Sequence, residues 1–356
     1  MRALRLVEQG KPLVEMDRDL PGVGPHDLLV RVRAAGICHS DAHYRDGTVP
    51  LKTLPITPGH EVAGVVEQIG SQAAELYGLE IGDRITVEPY IPCGRCKDSR
   101  SDHFYHQCTH GGIYGLNLAC DKPPHLFGGY SEYFYVLPGT VLHKLSDKVK
   151  PLAASLSSVV ANGVRWVKTL GKITFGESVV TPGPGSQGLS ALAAAKQSGA
   201  GPIIVLGLSR DTARLELARE FGADYTIDVE KNDPVESVLN ILPDGADAVI
   251  ETSGTVEGIE AGLKMPRKAG RIVVIGLSGG LKTEVTFDDL IWRSITVLTG
   301  VGQAGNVEDA MWLINQEKFP FHKINNTHYK LEEAAQALAD TEDPPEGFIK
   351  GAIIFD

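Results

Sequence analysis

The chain is predicted to be an α/β protein of two domains, one β-rich and one built on a doubly wound parallel sheet. Three observations predict this. Up to about residue 150 the apolar residues fall in short β-type runs broken by Gly and Pro. Between about 160 and 300 apolar strands alternate with helical stretches. A glycine-rich turn sits between the first of those strands and a small-residue helix.

In the first half, Leu28-Leu29-Val30-Arg31-Val32 and Ile85-Thr86-Val87 are representative strands, bounded by turn residues. In the second, Ser178-Val179-Val180, Ile203-Ile204-Val205-Leu206, Ala248-Val249-Ile250 and Ile272-Val273-Val274-Ile275 are separated by predicted helices at 211–221 and 255–268. Strand and helix in turn imply parallel pairing with helices on both faces. The last fifty residues carry a predicted helix at 331–340 and a terminal strand, Ala352-Ile353-Ile354-Phe355, which would complete the first domain. No internal repeat is present.

Composition narrows the function. Of the 356 residues, 42% are hydrophobic and 22% charged, with no low-complexity tract, which suits folded domains with their own cores. Thirty-four basic against 45 acidic residues give a net charge of -11 with no clustered Lys and Arg, so nucleic acid is not an expected partner. No apolar run approaches the roughly 18 residues of a membrane span, and the opening MRALRLVEQGKPL lacks a signal-peptide core. A cytoplasmic enzyme with no membrane partner is expected. Five cysteines are too few for a disulfide scaffold, and the C-x-x-C at Cys93 and Cys96 directs attention to metal.

Gly183-Pro184-Gly185-Ser186-Gln187-Gly188 follows the strand ending near Thr181 and opens a helix, the setting of a Rossmann dinucleotide loop. The glycines allow a tight turn, close approach of a pyrophosphate and close helix packing, while free N–H groups at the helix start favour the phosphates. An NAD-selecting acid is expected about 20 residues on. The segment there is Leu206-Gly207-Leu208-Ser209-Arg210, without a carboxylate until Asp211. Ser209 and Arg210 suit a 2'-phosphate, which favours NADP over NAD. The alternatives are a solvated Arg210 and an Asp211 that reaches the ribose.

In the β-rich half stand Gly36-Ile37-Cys38-His39-Ser40-Asp41-Ala42-His43 and Pro58-Gly59-His60-Glu61-Val62-Ala63-Gly64. Thiolate and imidazole are zinc ligands, though Cys38 and His60 taken alone also read as a buried thiol and a satisfied ring. With the C-x-x-C, the glycine loop and the domain order, these segments resemble the zinc-containing medium-chain alcohol and polyol dehydrogenases over nearly the whole chain. The resemblance implies a GroES-like catalytic domain from residues 1–159 and 303–356, a Rossmann domain at 160–302, and an active-site cleft at their junction. It further implies that Cys38 and His60 bind a catalytic zinc, with Glu61 as a neighbouring acid or transient ligand and Asp41 orienting the His60 ring. Ser40 would pass the alcohol proton toward the cofactor ribose and His43 would pass it to solvent.

Two departures stand out. The third zinc ligand implied by the resemblance falls at Ser158, four residues before Asn162-Gly163, and a neutral hydroxyl is a poor zinc ligand. Either Glu61 or water completes the site, or the metal is weakly held. In the lobe that holds a structural zinc in many relatives, only Cys93, Cys96 and Cys108 are available, Ser99 replacing a cysteine, with Asp98, Asp102, His103 and His106 as possible fourth ligands. Cys120 reads as a lone cysteine.

The expected activity is hydride transfer between an alcohol, polyol or sugar and NAD(P), giving an aldehyde or ketone. The rivals are a zinc-free NADPH-dependent quinone or enoyl reductase on the same fold and a non-catalytic binding protein. A homo-oligomer, dimer or tetramer, is expected; Ile295-Thr296-Val297-Leu298 at the end of the Rossmann sheet either pairs across a two-fold axis or lies buried within the sheet.

Overall fold

The computed structural model describes all 356 residues. It divides into two compact units: Met1–Ser158 with Ile314–Gln316 and Ile324–Asp356, and Val159–Leu313 with Glu317–Lys323.

The first unit contains strands β1 (Arg2–Arg5), β2 (Val14–Asp17), β3 (Leu28–Gly36), β4 (Glu61–Ile69), β5 (Arg84–Val87), β6 (Tyr90–Ile91), β7 (Gly112–Ile113), β8 (Tyr133–Val136) and β9 (Leu142–Lys144). The second contains β10 (Val179–Pro182), β11 (Ile203–Gly207), β12 (Tyr225–Asp228), β13 (Ala246–Glu251), β14 (Pro266–Val274) and β15 (Thr296–Thr299). The chain then returns to the first unit for β16 (Asn325–Tyr329) and β17 (Lys350–Ile354).

The main sheet of the first unit runs β16-β17-β3-β4-β5-β9, with β8 also paired to β3. Strand β3 is its spine. Residues Leu28–Arg31 pair with β8 and Ala34–Gly36 with β17, while β4 covers the other edge along the whole strand. The terminal strand thus completes the first unit. Leu28, Val30, Val32, Val62, Ile85 and Tyr130 belong to one buried core beneath this sheet. Leu28, Leu29 and Val30 are buried in succession, so β3 is covered on both faces at that end and its alternation fails there.

In the second unit the sheet order is β12-β11-β10-β13-β14-β15, every neighbour parallel. This order reverses direction beside β10, the crevice where doubly wound sheets bind nucleotides. Val180, Ile204, Val249 and Ile272 are fully buried, as expected of strands covered on both faces. Helix Thr212–Glu220 matches the predicted 211–221 stretch. The predicted helix at 255–268 is shorter, Val256–Lys264, because Pro266 lacks an N–H and opens β14 instead. Its start is fixed by Thr255, whose hydroxyl accepts from the Gly258 N–H at 3.0 Å.

No helix is long and apolar enough to cross a membrane.

Candidate functional site

Cys38 is the N-cap of the His39–Asp46 helix that follows β3, and His60 immediately precedes β4. Antiparallel pairing of β3 with β4 sets Gly36 opposite Glu61 and thereby brings the two segments together. Cys38 Sγ, a His60 ring nitrogen and a Glu61 carboxylate oxygen lie within 4.8 Å of one another. Glycine is required at two places around them. A Cβ on Gly36 would come within 2.0 Å of Glu61 Oε2, and one on Gly59 (φ +91°) within 2.5 Å of the Tyr130 ring.

Asp41 is buried and organises the group. Its Oδ2 accepts from the Cys38 N–H at 3.0 Å and from the Tyr130 hydroxyl at 3.2 Å, while Oδ1 stands 3.4 Å from His60 Nδ1. That contact leaves Nε2 as the free imidazole donor. Burial pushes the Cys38 thiol up, but the hydrogen bond and charge of His60 outweigh it, so the thiol is lowered. Burial alone would lower His60; the charge and hydrogen bond of Asp41 overcome this and hold the ring well above its ordinary value. Thiolate, imidazole and carboxylate, converging and already polarised, form a donor set suited to zinc.

Ser40 and His43 occupy the same helix, both half-buried. His43 lies edge-on to His39 at 4.7 Å between ring centroids. Sequence reasoning missed three neighbours. The Tyr44 and Tyr90 phenols are pushed up by burial, which outweighs the opposing charge of His60. Lys350, from β17, is buried against Glu61 at 2.9 Å. A lone cation in the apolar run Phe348-Ile349-Lys350-Gly351-Ala352-Ile353 was the available signal. Ser158 is buried at the end of the first unit.

The Cys93, Cys96 and Cys108 sulfurs also lie within 4.8 Å of one another, and Asp98, Asp102, His103 and His106 are not part of that cluster. Ser99 fills the remaining side. Its Oγ is 3.5 Å from Cys93 Sγ and accepts from the Cys96 N–H at 3.1 Å. Contact with Ser99, followed by the Arg95 and Cys96 N–H groups, lowers the Cys93 thiol to about 5. Three thiols, one of them readily ionised, fit a thiophilic metal. Cys120 is buried apart from both clusters, where burial raises its thiol.

In the second unit the glycine loop occupies the turn from β10 into the Ser186–Gln197 helix, with Gly185 as N-cap. A Cβ on Gly188 would approach Gly183 O to 2.0 Å, whereas one on Gly185 would meet nothing within 4 Å. The turn is therefore tight on its protein side and bare on its open side, as a phosphate cradle must be. Ser186 and Gln187 supply the first helical N–H groups. A cavity of about 580 Å³ opens here, lined by Gly183, Gly185, Gly207, Arg210, Thr252 and Met265 among others, and its shape and chemistry fit a dinucleotide.

Position 207 has little room for a side chain. A Cβ there would lie 2.8 Å from the Pro184 ring, which accounts for the missing acid. Asp211 is largely buried: it accepts from the Leu208 N–H at 3.0 Å and pairs with Arg214 at 2.9 Å, and both residues line the cavity. The Ser209 hydroxyl donates to Asp228 at 2.7 Å, and its N–H to Glu230 at 2.7 Å. Of the two residues that sequence reasoning aimed at a 2'-phosphate, Arg210 is the exposed one on the cavity wall.

Residues 24–147 match the family described as alcohol dehydrogenase GroES-like domain, and 188–316 the family described as zinc-binding dehydrogenase. The chain is 33% identical over 355 residues to a Mycobacterium tuberculosis protein named "Probable alcohol dehydrogenase adh", covering 98% of this chain and 96% of that one.

The chain belongs to the zinc-containing medium-chain dehydrogenase/reductases.

Within this family it is 30% identical to a sorbitol dehydrogenase of Halalkalibacterium halodurans, over 94% of both chains. Among solved structures, a zinc-binding dehydrogenase from Sinorhizobium meliloti 1021 bound to NADP superposes with a TM-score of 0.88 at 28% identity, over 99% of both chains. The family's reaction class is oxidoreduction of CH–OH groups with NAD(P), and the fold is its GroES-like and Rossmann pair.

Proposed function

We propose that this enzyme moves hydride between a secondary or primary alcohol, polyol or sugar and NADP in preference to NAD, with Cys38, His60 and Glu61 as the ligands of a catalytic zinc. The observation that carries the reading is the convergence of those three ligand atoms within 4.8 Å, with the His60 ring steered by Asp41. Zinc bound there supplies a Lewis acid for the substrate oxygen. Asp41 holds the imidazole in one orientation and fixes the Cys38 backbone. Ser40 takes up the alcohol proton, and His43, farther along the same helix, delivers it to solvent.

Gly183, Gly185, Ser186, Gln187 and Gly188 hold the pyrophosphate, and Arg210 meets the 2'-phosphate. Position 207 supports NADP because its crowding leaves no place for a ribose-binding acid. The Cys93, Cys96 and Cys108 lobe holds a second, structural zinc. Five free thiols suit a reducing compartment such as the cytoplasm. The enzyme assembles as a homo-oligomer through β15, the outer strand of the second sheet.

The test is metal analysis of the purified enzyme together with turnover of a panel of alcohols, polyols and ketones with NAD(H) and NADP(H). Zinc, with faster turnover of a secondary alcohol or polyol when NADP is the cofactor, is the expected result. Turnover of enones or quinones by a zinc-free protein would replace this reading with that of a reductase. Protein that binds neither zinc nor cofactor would be a non-catalytic relative.

A further inference from the structure

Lys350 is the most deeply buried ammonium of the first unit, and the catalytic reading leaves it without a task. Its Nζ is 2.6 Å from the Ile37 carbonyl oxygen and 3.1 and 2.9 Å from the two oxygens of Glu61. The ammonium donates to the Ile37 carbonyl and to Glu61 Oε1, and Glu61 Oε2 stands beside it as an ion-pair partner. Ile37 is the residue before Cys38, and Glu61 the residue after His60. The strand that carries Lys350 is itself tied to this place, since the Ile37 N–H donates to Gly351 O at 3.0 Å. One side chain therefore spans both segments that bring ligands to the metal.

The carboxylate of Glu61 is shared between two claims. On one side it lies within 4.8 Å of Cys38 Sγ and the His60 ring; on the other it faces the ammonium. The bare Cα of Gly36 gives that carboxylate its room, with only 2.0 Å between Oε2 and the place a Cβ would occupy. Because Ser158 is a neutral hydroxyl, Glu61 is the third donor available to the site and, with the Cys38 thiolate, one of its two anionic ones. A cation that neutralises a donor weakens its bond to a metal, since both draw on the same lone pairs.

We infer that Lys350 is a positioning residue that competes with zinc for Glu61, keeping the third metal bond weak and exchangeable. The inference rests on the reading of Cys38, His60 and Glu61 as the zinc ligands. Its sign is unusual. Outer partners of metal ligands ordinarily support the ligand, and their loss weakens metal binding by about 10- to 100-fold. Here the partner is a cation opposed to the metal, so its loss should strengthen binding.

The experiment measures zinc affinity by competition with a chromophoric chelator, and the visible spectrum of the cobalt-substituted protein, in the full-length enzyme. The Cys93 lobe is common to every variant, so differences between spectra report the Glu61 centre. Lys350→Met should bind zinc about tenfold more tightly or better, as expected when a charge-assisted bond no longer competes, with a shifted cobalt d–d band. Lys350→Gln, which keeps a donor for the Ile37 carbonyl, should change affinity in the same direction and serves if the Met variant does not fold. Lys350→Arg should restore the parental affinity and spectrum, and in a Glu61→Gln background Lys350→Met should change neither. Unchanged or weaker zinc binding in the charge-removing variants, or the same gain without the Glu61 carboxylate, overturns the inference. A cobalt spectrum unaltered by Cys38→Ala would instead remove the underlying metal reading, and this inference with it.

Discussion

At Ser158 a neutral hydroxyl occupies the position that the family resemblance implies for a third zinc ligand. On the proposed ligand set, Cys38, His60 and a Glu61 carboxylate shared with Lys350 would compensate less of the metal's charge than three dedicated donors. Ser158→Cys should therefore raise zinc affinity, on the order of tenfold or more. Titration with a mild chelator, followed by return of zinc, checks this: the parent should lose and regain activity where the variant resists. Equal chelator sensitivity would show that position 158 does not face the metal. Cys38, His60 and Glu61 were named as candidates through the family resemblance, since residue type alone also reads as a buried thiol and a satisfied ring. Lys350 was not, because nearly 290 residues separate it from Glu61 and only the pairing of β17 with β3 brings it near.

At the scale of elements, the loop after β13 shows how a strand end serves the cofactor site. Glu251 closes β13, and its Oε1 accepts from the Ser253 N–H at 2.7 Å, the Gly254 N–H at 3.2 Å and the Ser253 hydroxyl. Thr252 of the same loop bonds Pro182 and Gly183 carbonyls at 2.7 and 2.8 Å, fixing the glycine turn from behind. Burial pushes the Glu251 carboxyl up, and the hydrogen bonds it accepts offset only part of that. A carboxyl whose folded pKa exceeds its unfolded value of about 4.3 stabilises the fold below that value, and the contribution is lost as pH rises through the folded pKa. Glu251→Gln keeps an acceptor and removes the charge. Its melting temperature should exceed the parent's by a few degrees at pH 8, with no gain at pH 4. A gain of equal size at both pH values would mean that charge is not the cause. The alternation of strand and helix made this element order readable, but not the capping role of Glu251, which depends on the path of the backbone after the strand.

At the scale of the whole molecule, the second unit ends its sheet on β15, with one edge unpaired. In the segment between β14 and β15, Leu277, Phe287, Ile291 and Trp292 are exposed, Trp292 at 85%, and Val297 on β15 is 45% exposed. Exposed apolar side chains on an open edge strand and in the segment leading into it are what a two-fold β-pairing would cover. Trp292→Glu combined with Val297→Lys should shift the enzyme toward monomer in sedimentation velocity at micromolar concentration. An unchanged sedimentation coefficient would place the interface elsewhere or leave the enzyme monomeric.

By itself the sequence determined the class of fold and the glycine turn, because periodicity and turn chemistry are local properties, and it named Cys38, His60 and Glu61 as candidate metal ligands through the family resemblance. Whether those residues meet was decided by tertiary structure. The register of β3 against β4 aligned Gly36 with Glu61, and the return of β17 brought a buried ammonium to the same carboxylate. The capping of Leu208 drew Asp211 inward, and the crowding at Gly207 closed that position to an acid. Each depends on contacts between residues distant in sequence or on the three-dimensional course of a turn. No local pattern encodes these, since the same residues in another register would face different partners.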